Sequence, residues 1–166
     1  MRFKSQSLFA PIAFATSLIL LGQESVTPKK KDQVLFVCEH GNVKSLMAVS
    51  YFNQLAQQKG LLVRAISRGA SPDSDTVPSV IAEGLKKDGL DVSGFHPKKV
   101  LATEMSESRQ VILINTELPL KLRSPDAVVE SWSDIPPASV DFLASSKALK
   151  LRIEALITNY MAQSKK

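Results

Sequence analysis

The chain has 166 residues, 44% of them apolar and 22% charged, enough for one compact domain with a sizeable core and too few for a multidomain machine. Basic residues outnumber acidic ones by 21 to 16, and the resulting +5 favours anionic ligands mildly; with only 6% aromatics and no stripe of rings interleaved with bases, a nucleic-acid partner is not indicated. One cysteine and two histidines exclude an internal disulfide and argue against a Cys- or His-rich metal site.

Residues 1–25 have the layout of an export signal. Arg2 and Lys4 precede an apolar stretch from Leu8 to Gly22, shorter than the roughly 20 residues of a spanning helix, and polar Gln23, Glu24 and Ser25 follow. The expectation is an exported domain, periplasmic or secreted. No small-x-small triplet closes the segment, however, and Lys29, Lys30 and Lys31 come soon after. The alternative is an uncleaved anchor with the domain on the cytoplasmic side, touching the membrane through this segment alone. Residues 26–33 read as a basic linker and 34–163 as the domain.

From Val34 onward, short apolar runs alternate with helical patterns, the mark of βαβ units around a parallel sheet. Strands are expected at Val34 to Val37, Leu61 to Ile66, Val111 to Ile114 and Ala127 to Val129. Between the first two, Leu46, Val49, Phe52, Leu55 and Ala56 recur at helical spacing, and Gly60 stands where a helix ends. A second helix starts from Asp75 or Thr76 with Pro78 in its first turn, buries Val80, Ile81 and Leu85, and stops at Gly89. A short helix is expected over Lys98 to Met105. The last and longest is capped by Ser139, with Phe142, Leu143, Leu149, Ile153, Leu156, Ile157 and Tyr160 as its apolar face and Lys165 and Lys166 at its end. The fold class is thus α/β, a small open four-stranded parallel sheet with helices on both faces.

Ligands of such sheets sit beyond the C-terminal ends of the strands. One loop there is chemically loaded: Cys38-Glu39-His40-Gly41-Asn42-Val43-Lys44-Ser45, between the first strand and the first helix. A short loop running into a helix N-terminus gathers backbone N–H groups into a nest for a phosphate-sized oxyanion, and Gly41 and Asn42 tolerate the left-handed turns it needs. The same field favours Cys38 as the nucleophilic thiolate rather than the small buried hydrophobe a cysteine usually is. Ser45 either caps the helix or hydrogen-bonds the sulfur, and Lys44 adds a positive charge at the rim.

A hydrophobic strand, Cys-x5-basic-Ser and a helix resemble the active-site loop of the low-molecular-weight protein tyrosine phosphatase and arsenate reductase family. So do Ser67 to Pro72 (SRGASP), Gly94 to Val100 (GFHPKKV) and Glu130 to Pro137 (ESWSDIPP), so the likeness runs from about Val34 to Tyr160. It implies a low-molecular-weight phosphatase-like fold and a hydrolase that needs no cofactor. Its substrate would be a phosphorylated protein or small aryl phosphate. Cys38 would form a phosphocysteine, the backbone of 39–45 would hold the phosphoryl oxygens, Ser45 would stabilise the sulfur and Asp134 would act as general acid and then base.

The pattern departs from the family at Lys44, where the family has Arg; a point charge replaces a planar fork that binds two oxygens. Glu39 puts a carboxylate in the loop, and Ile135 separates Asp134 from Pro136. These departures support an alternative, a weakly active or inactive domain that binds an oxyanion or phospholigand, and a second alternative is an arsenate reductase using an external thiol. Glu39, His40, Gly41, Asn42, Val43 and Lys44 would line the substrate site. His40 reads as a rim residue rather than a base and His96 as a surface loop residue. Trp132 either stacks on the substrate or packs in the core.

Overall fold

The computed structural model describes residues 32–125 and 127–164. The expected export signal and most of the linker lie outside the described residues, as do Lys165 and Lys166. The first strand already includes Gln33, the last residue assigned to the linker.

Nine elements follow in order: β1 (Gln33–Cys38), α1 (Lys44–Gln58), β2 (Arg64–Gly69), α2 (Ser79–Lys87), α3 (Ala102–Glu107), β3 (Gln110–Ile114), a 3-10 turn (Leu120–Leu122), β4 (Val129–Trp132) and α4 (Phe142–Ser164). The strands form one parallel sheet in the order β2-β1-β3-β4. Alternation along β1 and β3 divides the core in two. Val34, Phe36, Ile112 and Ile114 meet α1, α2 and α4 on one face, while Leu35, Val37, Val111 and Leu113 meet Met105 of α3 and Leu118 on the other. The four-stranded parallel sheet with helices on both faces is therefore present. Among the described residues no helix is long and apolar enough to cross a membrane.

Several boundaries move from their expected places, each for a local reason. The apolar run at Leu61 does not open β2: Gly60 takes φ 68°, and the Leu61 amide closes α1 by donating to the Ala56 carbonyl at 2.9 Å. Leu62 is left 89% exposed, and the strand begins only at Arg64. α2 is preceded by Pro78 as its N-cap, with no side chain from Asp75 or Thr76 capping it, and Val80 is exposed while Ile81 and Leu85 are buried. Lys98 and Lys99 form no helix. The Lys98 carbonyl accepts from the Gly69 amide at 2.9 Å and Val100 donates back to Gly69 at 3.0 Å, an added bridge on the edge of β2 that delays α3 to Ala102. β4 lies downstream of the expected Ala127 to Val129 run, because Trp132 is the side chain that enters the core and sets the register opposite Ile114. Asp141, not Ser139, caps α4, accepting from the Ala144 amide at 2.9 Å, and Leu143 faces outward.

Candidate active site

The parallel sheet carries the last residue of β1, Cys38, to the end from which α1 departs. Cys38 pairs in register with Gly69 of β2 and is almost fully buried. After it the chain turns through residues 39–43, and Gly41 takes φ 81°. Space alone would require glycine there, since a Cβ would stand 2.6 Å from the Gly69 amide nitrogen; a Cβ on Gly69 would in turn meet the His40 carbonyl carbon at 2.7 Å. Two glycines thus let the loop and β2 lie backbone to backbone.

This close approach aims donors at the sulfur. The Gly41 amide donates to Cys38 Sγ at 3.3 Å, and Ser45 Oγ lies 3.0 Å from it. Ser67, from β2, extends the network: its buried hydroxyl bonds Ser45 Oγ at 2.8 Å and the Gly41 carbonyl at 2.9 Å. Of the two uses open to Ser45, the structure shows the bond to sulfur; α1 has Val43 as its N-cap and no side-chain cap. Its first-turn amides keep their donor capacity and add the positive end of the helix dipole.

The outer side of the loop is tied down elsewhere. Ala70 and Ser71 amides donate to the Cys38 and Glu39 carbonyls at 2.9 and 2.8 Å. Asn42, nearly buried, donates from Nδ2 to the Thr76 carbonyl at 2.8 Å. His40 Nδ1 lies 3.1 Å from Asp73 on the exposed rim, and Glu39 turns to Thr116, whose hydroxyl donates to its carboxylate at 2.9 Å. Lys44 is half-buried; burial lowers its pKa from the usual lysine value and the Cys38 charge pulls it back up. Among the described residues no group of three or more His, Cys, Asp or Glu is placed to hold a metal ion.

Two candidates have their partners outside this cluster. Trp132 is in the core, 1% exposed, its ring 5.6 Å from that of Phe36 and its Nε1–H donated to Glu130 at 2.6 Å. It cannot stack on a substrate, because its face is spent on packing. Asp134 is exposed, and its two carboxylate oxygens are gripped by Arg152 of α4 at 2.5 and 2.6 Å. That hydrogen-bonded guanidinium holds its pKa below the usual carboxylate range. His96 sits in an exposed loop, with Nδ1 3.1 Å from the Asp75 carbonyl.

Sequence reasoning did not single out Ser67, Gly69, Thr116 or Arg152. The first two lay inside the SRGASP segment, and a serine and a glycine ending a strand beside a glycine loop were the available signal. Thr116 and Arg152 carried none. A separate groove of about 700 Å³, lined by Gln33, Leu61, Leu62 and Arg64 among others, lies at the opposite end of the sheet, away from the cysteine.

Known proteins share this fold. The family model for low molecular weight phosphotyrosine protein phosphatase matches residues 33–130, ending before Asp134. YfkJ from Bacillus subtilis superposes with a TM-score of 0.69 at 19% identity, over 82% of this chain and 99% of its own. A low molecular weight protein tyrosine phosphatase from T. tengcongensis gives 0.65 at 21% identity, over 76% and 98%. An arsenate reductase from Archaeoglobus fulgidus gives 0.60 at 22% identity, over 75% and 98%. These likenesses establish the fold. No curated protein matches the chain by sequence.

Proposed function

The chain belongs to the low molecular weight phosphotyrosine protein phosphatase family, and from that premise we propose that it hydrolyses phosphate monoesters of the aryl or phosphotyrosine type through Cys38. The observation that carries this is the sulfur at the end of β1, met by the Gly41 amide and Ser45 Oγ at 3.3 and 3.0 Å before an uncapped helix N-terminus.

In the first step the Cys38 sulfur attacks phosphorus and a P–S bond forms as the P–O bond to the leaving group breaks; the departing oxygen takes a proton. In the second, water attacks phosphorus, the P–S bond breaks, and Ser45 stabilises the charge returning to sulfur. Loop and α1 amides with Lys44 receive the non-bridging oxygens. Asp134 supplies the first proton and takes the second one only after leaving Arg152, since an ion-paired carboxylate has no proton to give. That grip, together with the point charge of Lys44, favours the second reading, a domain that holds phosphate or another oxyanion such as arsenate with little turnover. The basic-headed apolar segment before the domain supports an exported enzyme.

Hydrolysis of a generic aryl phosphate by the protein, its Cys38→Ser variant and Lys44→Arg tests the choice. Turnover abolished in Cys38→Ser is expected, with a rise in Lys44→Arg as the guanidinium binds two oxygens. A silent native protein that becomes active only as Lys44→Arg would establish the binding reading, and Cys38→Ser at full rate would refute cysteine catalysis.

A further inference from the structure

Glu39 is the acidic residue of a loop whose every other feature suits an anion. The structure shows how it is tolerated. Its backbone carbonyl is held by Ser71, and the Thr116 hydroxyl, beyond the end of β3, fixes its carboxylate at 2.9 Å. The charge therefore stands exposed where the ends of β1 and β3 meet, held by a residue that follows β3. Among the described residues no cation pairs with it: His40 is engaged by Asp73, Arg68 by Glu104 at 2.6 Å, Lys150 by Asp88 and Arg152 by Asp134. Among the described residues Lys44 is in no ion pair with a carboxylate either, and the Cys38 charge acts on it.

The mouth thus presents a lysine without a carboxylate partner beside the sulfur and a carboxylate without a cation partner at the rim, the latter held in place by a hydrogen bond. Among the described residues no phenylalanine, tyrosine or tryptophan is fully exposed: Phe36, Tyr51, Phe52, Trp132 and Tyr160 are in the core, and Phe95 and Phe142 pack partly buried against it. A ligand that satisfies both charges carries a phosphate that descends to the nest and a positive charge beside it. Resting on the phosphatase reading above, we propose that Glu39 is a specificity residue that selects phosphopeptides with a lysine or arginine next to the phosphorylated residue, and that Thr116 positions its carboxylate for that contact.

The size of the preference follows from Coulomb's law. A carboxylate about 5 Å from a unit charge at a largely aqueous surface contributes roughly a fourfold to fifteenfold preference, weakening with salt. Two phosphotyrosine peptides identical but for one flanking lysine, replaced by glutamine in the second, test it. Their affinities are measured on Cys38→Ser, which cannot turn them over, and their kcat/KM values on the native enzyme. Tighter binding of the lysine peptide is expected in Cys38→Ser, falling to parity when Glu39→Gln is added and reversing with Glu39→Lys. Thr116→Val, which leaves the charge but frees it, should lower the ratio part of the way. Equal affinities, binding of neither peptide, or a preference that survives Glu39→Gln overturns the proposal. Failure of the native enzyme to hydrolyse either peptide would instead overturn the hydrolase reading, while the affinity ratio still decides the role of Glu39.

Discussion

Replacing Ser45 with alanine removes one hydroxyl from the network around the Cys38 sulfur and little else. Ser45 is fully buried, and its Oγ lies 3.0 Å from the Cys38 sulfur and 2.8 Å from Ser67. When it is gone, Ser67 keeps its bond to the Gly41 carbonyl at 2.9 Å, so no buried donor is orphaned and the fold should lose about 1 kcal/mol or less. The sulfur fares differently. A hydrogen bond to an ionised group is worth about 1.5–3 kcal/mol, and if that is lost where charge returns to sulfur the phosphoenzyme breaks down about ten- to 150-fold more slowly. The assay is rapid quench with an aryl phosphate: Ser45→Ala should release a burst of phenol and then turn over slowly, with phosphocysteine accumulating. A steady-state rate equal to the native one would refute the role given to Ser45. So would a rate loss that tracks a large fall in Tm, because the hydroxyl would then be structural.

Two further outcomes follow from ion pairs. Arg152→Met releases the Asp134 carboxyl, whose pKa Arg152 holds down, so the limb in which activity falls as the acid ionises should move to higher pH; an unmoved limb, or one that persists in Asp134→Asn, would show that Asp134 is not the acid. Asp88 is pushed up by partial burial, but hydrogen bonds from Lys150 at 2.9 Å and Tyr51 at 2.7 Å outweigh this and leave its pKa below the usual 3.8. A depressed carboxylate stabilises the fold above its unfolded-state pKa and ceases to as pH falls through the folded one. Asp88→Asn should therefore cost about 1 kcal/mol in urea unfolding at pH 7, and that difference should vanish in strong acid; a difference independent of pH would contradict the assignment.

What could be read from sequence was whatever lay within a few residues. Cys38, Gly41 and Ser45 fall in one eight-residue stretch between an apolar strand and a periodic helix, so their meeting follows from local geometry. β1 and β3 were equally plain, since strands covered on both faces are apolar throughout. β2 was misplaced because its polar Ser67 and Arg68 do not look like strand interior. They are satisfied by Ser45 and Glu104, 22 and 36 residues away, and no local pattern announces such partners. Arg152 escaped notice for the same reason: it is one of three bases on a long helix until Trp132 and Asp134 are seen beneath and beside it. Trp132 was open to either use, because a large ring suits a substrate mouth and a core equally well; the edge position of β4, where it is the one buried side chain, decided for the core.

All four strands run the same way, and this gives the domain a front and a back. Asp32, where the described chain begins, lies at the rear, its carbonyl bonded to the Arg64 amide at the start of β2. The six residues of β1 then carry the chain roughly 20 Å forward to Cys38. A tether acting through the residues ahead of Asp32 would therefore pull on the rear. Fusion to a carrier, immobilisation on a bead or retention at a bilayer through those residues would attach the domain at the end of the sheet opposite Cys38.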